Sequence, residues 1–429
     1  LLAGGNSNNG VNCGRFYGNW NNTASNSNWN IGAFHFFRFS RVKNRAPKSL
    51  CHLAKIIPSG KWFSRLILER PSGERRCFMP KRVGYLYEKV VAYDNCENAY
   101  KEMTKGKHKN VRAMKMRENA ADFGQRLADE LTNDEWVPSP YKEHTIKDGA
   151  HKKERHIKVP CLKDQAVHHA VMRVTAPYIE KRNYFYNCGS IPGAGQIRAT
   201  RAMKRWMSAK KIMKYCVQLD VRHFYESCPH WAVIEALERI FKDKKFLALH
   251  VKILNSMGEG LAIGFYPSQW YANLVLMWID FRIKQSYLPK GYYTRYMDDM
   301  CLLGTNKRKL RKAMESISYE LRRIGLTLKG NYKLFKIGER GVQFLSYRFF
   351  RGYTLMKKAL MYRVSRGIRK AKSKKTLHRA LSAMSYVGVL KHCDSYNFRK
   401  ERVYPLIQIK ELRRYISHED RIRRVACCV

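Results

Sequence analysis

Tyr296-Met297-Asp298-Asp299 sits between two runs of strand-forming residues, Tyr292-Tyr293-Thr294-Arg295 and Met300-Cys301-Leu302-Leu303. β-Branched and aromatic residues suit a pleated, half-buried surface, so the two adjacent carboxylates are expected at the tip of a β-hairpin. Upstream, Tyr215-Cys216-Val217-Gln218-Leu219 reads as a buried strand that delivers Asp220 at its end, ahead of Phe224-Tyr225 and a helix opened by Pro229. Three carboxylates on two adjacent strand ends can hold two magnesium ions roughly 4 Å apart, an arrangement that activates a primer 3′-hydroxyl and stabilises a leaving pyrophosphate. The residues therefore point to nucleotide polymerisation.

The chain has 429 residues, enough for a sizeable core and about two to four structural units. Its charge is the stronger constraint. Lys and Arg number 83 against 34 Asp and Glu, a net of +49, which repels itself unless a polyanion neutralises it. Nucleic acid is the expected partner, with affinity falling steeply as salt rises; a basic structural protein is the bland alternative. Twelve cysteines are scattered, with Cys427-Cys428 the one adjacent pair and no Cys-x-x-Cys, so neither a zinc ribbon nor a disulfide framework is indicated. The longest apolar run, Tyr271 to Ile283, is broken by Asp280 and reads as a buried helix rather than a membrane span. With no secretory signal in view, a reducing cytoplasm is the expected setting.

Residues 1 to 78 stand apart. Up to Asn30 they interleave asparagine with glycine, serine and tryptophan, a composition that cannot build a core, and no methionine precedes Met79. Met79 is thus an expected start, with the leader a read-through of upstream sequence. Helical patterns follow from Leu86 to Tyr100 and from Val111 to Leu131, closed by Pro138 and Pro140. Arg155 to Pro160 reads as a basic strand, Gln165 to Ile179 and Arg198 to Ser208 as helices, and Ile191 to Gly195 as a glycine turn. Strands and helices alternate from Val217 to Phe350, as in an α+β domain. Beyond Arg351, Arg363, Arg366, Arg369 and Lys370 recur at helical spacing, either a phosphate-facing helix or a solvated basic face.

Asp220, Phe224-Tyr225, Ile263-Gly264-Phe265-Tyr266-Pro267-Ser268-Gln269, the hairpin at 296–299, Gly325-Leu326-Thr327-Leu328 with Lys333, and Val342 to Tyr347 follow one another in the order found in reverse transcriptases. The chain resembles that family over roughly residues 81 to 400. The resemblance implies a right-hand fold: fingers over 79–219, palm over 220–350 and a basic helical thumb over 351–429.

It also implies roles. Asp220, Asp298 and Asp299, with the carbonyl of Val221, would ligate two Mg²⁺ ions, for which Mn²⁺ substitutes in such enzymes, because hard oxygen donors suit both. Tyr225 would lie under the sugar and exclude a 2′-hydroxyl, or else be a core aromatic. Arg155 and Lys158 would meet the incoming triphosphate. Gly264 would let the backbone approach the base pair, and Lys333 would give a proton to pyrophosphate. Phe344, Leu345 and Tyr347 resemble the hairpin that grips the primer, though Ser346 stands where glycine is usual, which questions how tight that turn is.

Most members have glutamine before the glycine of the 263–269 block and proline after its serine; here Ile263 and Gln269 stand instead. With Gly264 and Ser268 between them they resemble reverse transcriptases of diversity-generating retroelements. In that family the enzyme copies a template-repeat RNA with errors opposite adenine, the cDNA replaces part of a target gene (mutagenic retrohoming), and a small basic accessory variability protein takes part. Residues 1 to about 33 would then be template repeat, or its neighbourhood, read in frame, with a low-complexity leader as the alternative, in a bacterial or phage-infected cell. Template RNA, cDNA and deoxynucleoside triphosphates are the implied partners, with no membrane. A retron or group II intron enzyme is the alternative within the class, and a non-catalytic RNA-binding protein the alternative outside it.

Overall fold

The computed structural model describes residues 81–425 apart from 108–109, 149–152, 210–212 and 375; the leader over 1–78 and the Cys427-Cys428 pair lie outside the described residues. The chain opens with α1 (Tyr87–Val91), α2 (Tyr93–Thr104), α3 (Val111–Glu118) and α4 (Ala120–Thr132). Each helical pattern read from the sequence is therefore two helices. The first breaks at Ala92, where the backbone is extended and Asn95 Nδ2 donates to the carbonyls of Val90 and Ala170. The second breaks at Asn119, whose amide bonds back to the Lys115 carbonyl and competes with the helix ladder.

A two-stranded antiparallel ribbon follows, β1 (Lys142–Asp148) with β2 (Lys153–Val159), in which Ile146 faces Arg155. After it come α5 (Leu162–Arg182), α6 (Gly195–Ser208), β3 (Tyr215–Asp220), α7 (Phe224–Ser227), α8 (His230–Glu238), α9 (Lys244–Asn255) and α10 (Ser268–Arg282). Pro229 is the N-cap of α8. Strands β4 (Tyr292–Tyr296) and β5 (Asp299–Gly304), helix α11 (Lys307–Arg323) and β6 (Lys333–Lys336) complete an antiparallel sheet ordered β4-β5-β3-β6.

Alternation along these strands feeds two cores, as the period of two demands. Val217, Leu219, Met300, Leu302 and Tyr293 pack with α5, α8, α9, α10 and α11 on one face. Cys216, Cys301 and Leu303 pack on the other face with α6 and with the meander β7 (Val342–Phe344), β8 (Tyr347–Phe349) and β9 (Thr354–Met356). A third core joins α12 (Lys358–Ser373), α13 (Leu377–Leu390) and α15 (Ile409–Val425), with α14 (Tyr396–Arg402) between the last two in sequence. The described residues thus form an α+β fold.

The loop entering α10 is fixed to the ribbon. Lys158 N donates to the Ile263 carbonyl at 2.8 Å, Phe265 packs against Tyr141 and His168, and Tyr266 stacks on His169 at 4.1 Å. Gly264 has φ +115°, and a Cβ there would intrude on the Lys158 carbonyl and stand 2.9 Å from Ile157 Cγ2. Gly264→Ala is therefore expected to cost roughly 1–3 kcal/mol and to lower the urea midpoint. A parental midpoint would show that ribbon and loop are not held in this contact.

Candidate active site

Strand pairing brings the three carboxylates to one end of one sheet. In the β3–β5 register Asp220 lies opposite Asp299, and in the β4–β5 register Tyr296 lies opposite Asp299, which leaves Met297 and Asp298 as a two-residue turn. Met297 takes φ +56° there. Two-residue hairpins favour glycine or asparagine at such positions because a Cβ crowds the left-handed backbone.

The charges repel. Burial, then the charges of Asp299 and Asp220, push the Asp298 carboxyl up to about 6. Asp299 is raised as well, by desolvation and then by Asp220, with Lys357 and Lys329 opposing. Asp220 Oδ1 is buried with no hydrogen-bond partner, while Oδ2 forms an ion pair with Lys329. A crowded, partly unsatisfied set of carboxylate oxygens is what a hard divalent cation relieves, so the donor set fits Mg²⁺ chemically. Among the described residues no three His, Cys, Asp or Glu side chains are already drawn into a closed ligand set. Val221 is buried beside them and bridges Leu328, with Lys329 N donating to the Asp220 carbonyl at 2.8 Å.

Other expected site residues fall as follows. Tyr225 is partly buried and near enough to Asp298 for that carboxylate to add to the burial that raises its hydroxyl. Arg155 is exposed on β2. Lys158 is partly buried, Nζ donating to the Met257 carbonyl at 2.8 Å and lying 4.7 Å from the centre of the Tyr141 ring. Ile263 is partly buried, and Ser268 Oγ donates to the Ala262 carbonyl at 2.7 Å. Gln269 Oε1 is buried without a partner. At Gly264, where the expectation was a close approach of the backbone to the base pair, the backbone also lies against the Lys158 carbonyl of β2, which leaves no room for a Cβ.

Phe344 and Tyr347 are core residues, the Tyr347 hydroxyl donating to the Val389 carbonyl, so of this hairpin segment Leu345 and Ser346 are the partly exposed pair. That turn is tight despite Ser346, with Phe344 opposite Tyr347 and Leu345 carrying φ +51°. Lys333 is exposed on β6, where it faces Gln218. Arg363, Arg366, Arg369 and Lys370 are exposed on α12, whose buried side is Leu360, Val364, Ile368 and Ala371.

Two lysines escaped the sequence reading. Lys329 pairs with Asp220, and Lys357, at the start of α12, feels the charge of Asp299. Both lie far along the chain from their partners, and the one signal was a cluster of bases after Thr327.

A raised carboxyl pKa means that the fold disfavours the charge. In metal-free protein Asp298 therefore withdraws stability as pH rises from the unfolded value near 3.8 through about 6, and none below that window. Asp298→Asn in excess chelator at pH 7.5 is expected to raise the melting midpoint by roughly 1–3 °C. A lowered midpoint would mean that the charge is stabilised by partners other than a metal.

Residues 146–349 match the family described as reverse transcriptase (RNA-dependent DNA polymerase). No curated protein sequence matches the chain. Weak structural likeness links it to telomerases: apo telomerase of Candida tropicalis lacking its C-terminal domain, at 15% identity and a TM-score of 0.38 over 53% of this chain and 57% of that one; and telomerase of Candida albicans with a fragment of telomeric RNA, at 11% and 0.40 over 59% and 54%. A longer apo telomerase of Candida tropicalis gives 12% and 0.43 over 58% and 51%. The chain thus spans little more than half the length of these telomerases. Residues 146–349 form a reverse-transcriptase-like domain, which supports nucleotidyl transfer of the polymerase type.

Proposed function

We propose that this chain is an RNA-directed DNA polymerase of the diversity-generating retroelement type, copying a template-repeat RNA into cDNA with errors opposite adenine. The observation that carries the finer reading is the block Ile263 to Gln269, where an aliphatic residue and a glutamine replace the usual glutamine and proline. This block is tied by its backbone to β2, the strand that bears Arg155 and Lys158.

In this reading the sheet β4-β5-β3-β6 is the palm, the ribbon β1–β2 belongs to the fingers, and the helices from α12 onward form the thumb. Asp220, Asp298, Asp299 and the Val221 carbonyl would hold two Mg²⁺ ions. Bound there, the ions would activate the primer hydroxyl and balance charge on the departing pyrophosphate. Tyr225 would sit under the sugar of the deoxynucleotide, Arg155 and Lys158 would meet its triphosphate, and Lys333 or Lys329 would supply the proton to pyrophosphate. The turn Leu345-Ser346 would touch the primer end, and the exposed bases of α12 would follow the phosphate backbone. A small basic accessory variability protein would complete the assembly in the cytoplasm of a bacterial or phage-infected cell.

An apolar Ile263 removes an amide that would hydrogen-bond near the nucleotide sugar, and geometric selection loosens. Sequenced cDNA from an adenine-containing RNA template is expected to carry its errors mainly opposite adenine. Ile263→Gln should then lower errors per adenine copied by about tenfold, equal to about 1.4 kcal/mol of added discrimination. Parental errors spread evenly over the bases would point instead to a retron or group II intron type. An active Ile263→Gln enzyme with the parental adenine error rate would remove Ile263 as the cause.

Sugar selection gives a second check. Tyr225→Ala is expected to admit ribonucleotides in single-nucleotide extension. An unchanged ribo/deoxy preference would make Tyr225 a packing residue.

A further inference from the structure

Beneath the Asp298 turn lies a charged network with no exposure at all. Arg295 on β4 and Asp280 on α10 form a two-pronged ion pair, Nε to Oδ1 at 2.8 Å and an Nη to Oδ2 at 2.6 Å, with both side chains 0% exposed. The other guanidinium arm leaves the pair. It donates to the Met297 carbonyl at 2.9 Å and to Asn273 Oδ1 at 3.2 Å. Tyr293 donates its hydroxyl to Asp280 Oδ1 at 2.7 Å, and Tyr184 stacks on Tyr293.

The same network reaches the turn from a second side. Asn273 donates to the Gly189 carbonyl at 2.8 Å, and Asn187 donates to Asn273 Oδ1 at 3.1 Å. Segment 186–188 lies along β4, with Arg295 N donating to the Tyr186 carbonyl and Cys188 N donating to the Arg295 carbonyl. Gly189 then meets Met297 so closely that a Cβ on it would overlap the Met297 backbone nitrogen and stand 2.7 Å from its sulfur.

A left-handed methionine persists only where its surroundings over-determine it. Here one guanidinium holds the Met297 carbonyl while Gly189 closes on its nitrogen, and the next residue is Asp298. We propose that Arg295 is a positioning residue: through Met297 it sets the direction of Asp298, and so the affinity of the carboxylates for a divalent ion, while Asp280 fixes the guanidinium. A fork is required because one arm set must satisfy Asp280 while another reaches the carbonyl, which an ammonium cannot do with the same geometry.

This inference rests on the reading of Asp220, Asp298 and Asp299 as metal ligands, and the test separates the two. Binding of Mn²⁺ to the full chain is followed by electron paramagnetic resonance, beside template–primer affinity and the rate of DNA synthesis at saturating substrates. The parent must bind Mn²⁺ in a manner abolished by Asp298→Asn; if it does not, the metal reading fails and the inference falls with it. Given that control, two variants decide. Asp280→Leu with Arg295→Met replaces the buried pair by apolar groups of similar size, a change that buried ion pairs tolerate in stability. Arg295→Lys keeps a charge beside Asp280 and loses the fork. Each is expected to weaken Mn²⁺ binding and slow synthesis by about tenfold, with template–primer affinity unchanged. Parental Mn²⁺ binding in either folded variant would overturn the proposal and leave the pair a packing feature; should the double variant not fold, Arg295→Lys decides in the same way.

Discussion

Pairing of β3 with β5 places Tyr215 opposite Gly304 and, at the far end of the ladder, Asp220 opposite Asp299. Everything chemical in the site depends on that register. A slip of one residue would turn Asp220 to the opposite face and, with it, exchange the residues that fill the two cores. Val217 and Leu219 on one side, and Cys216 on the other, make such a slip expensive because each face is buried against helices or the β7–β9 meander. The hydrophobic pattern of a short strand thus fixes where a carboxylate stands.

What the register assembles, electrostatics opposes. Three carboxylates gather at one end of the sheet, and burial with two like-charged neighbours pushes the carboxyl at the turn up to about 6. Opposing charge is supplied locally by Lys329 and Lys357, while a buried lattice of Arg295, Asp280, Asn273 and Gly189 under the turn holds the backbone in place. Magnitudes favour the lattice as a determinant of shape rather than a net source of stability. Desolvating both members of a buried ion pair offsets much of their attraction, whereas removing one member costs about 3–5 kcal/mol. The pair therefore makes its arrangement hard to leave without making the fold much more stable.

The parts of this structure set by local pattern were legible in the sequence. Alternation from Tyr215 to Leu219, and strand formers on both sides of Met297-Asp298, announced β3, β4 and β5 and put the carboxylates at their ends. The apolar run ending at Ile283 announced a buried helix. Parts set by contacts between distant segments were not legible. Asp280 was visible as the one acid interrupting that run and Arg295 as a base among strand formers, yet nothing local joins residues on different elements. Lys329 lies in the turn before β6, and the Val221–Leu328 bridge with the bond from Lys329 N to the Asp220 carbonyl carries it to Asp220. The breaks at Ala92 and Asn119 escaped because alanine favours helix and a single asparagine is tolerated in one. For Gly264 the packing against β2 was not legible, since the strand that it meets comes about a hundred residues earlier in the chain.

The most direct measurement is single-turnover addition of one deoxynucleotide to a DNA primer on an RNA template, with Mg²⁺ present, by the parent chain and by Asp298→Asn side by side. A template-directed product from the parent and a loss of at least about a hundredfold in the variant, with RNA binding retained, is the result expected if these carboxylates carry nucleotidyl transfer. Extension by the variant within about tenfold of the parent, or no template-directed product from the parent with either Mg²⁺ or Mn²⁺, would contradict it.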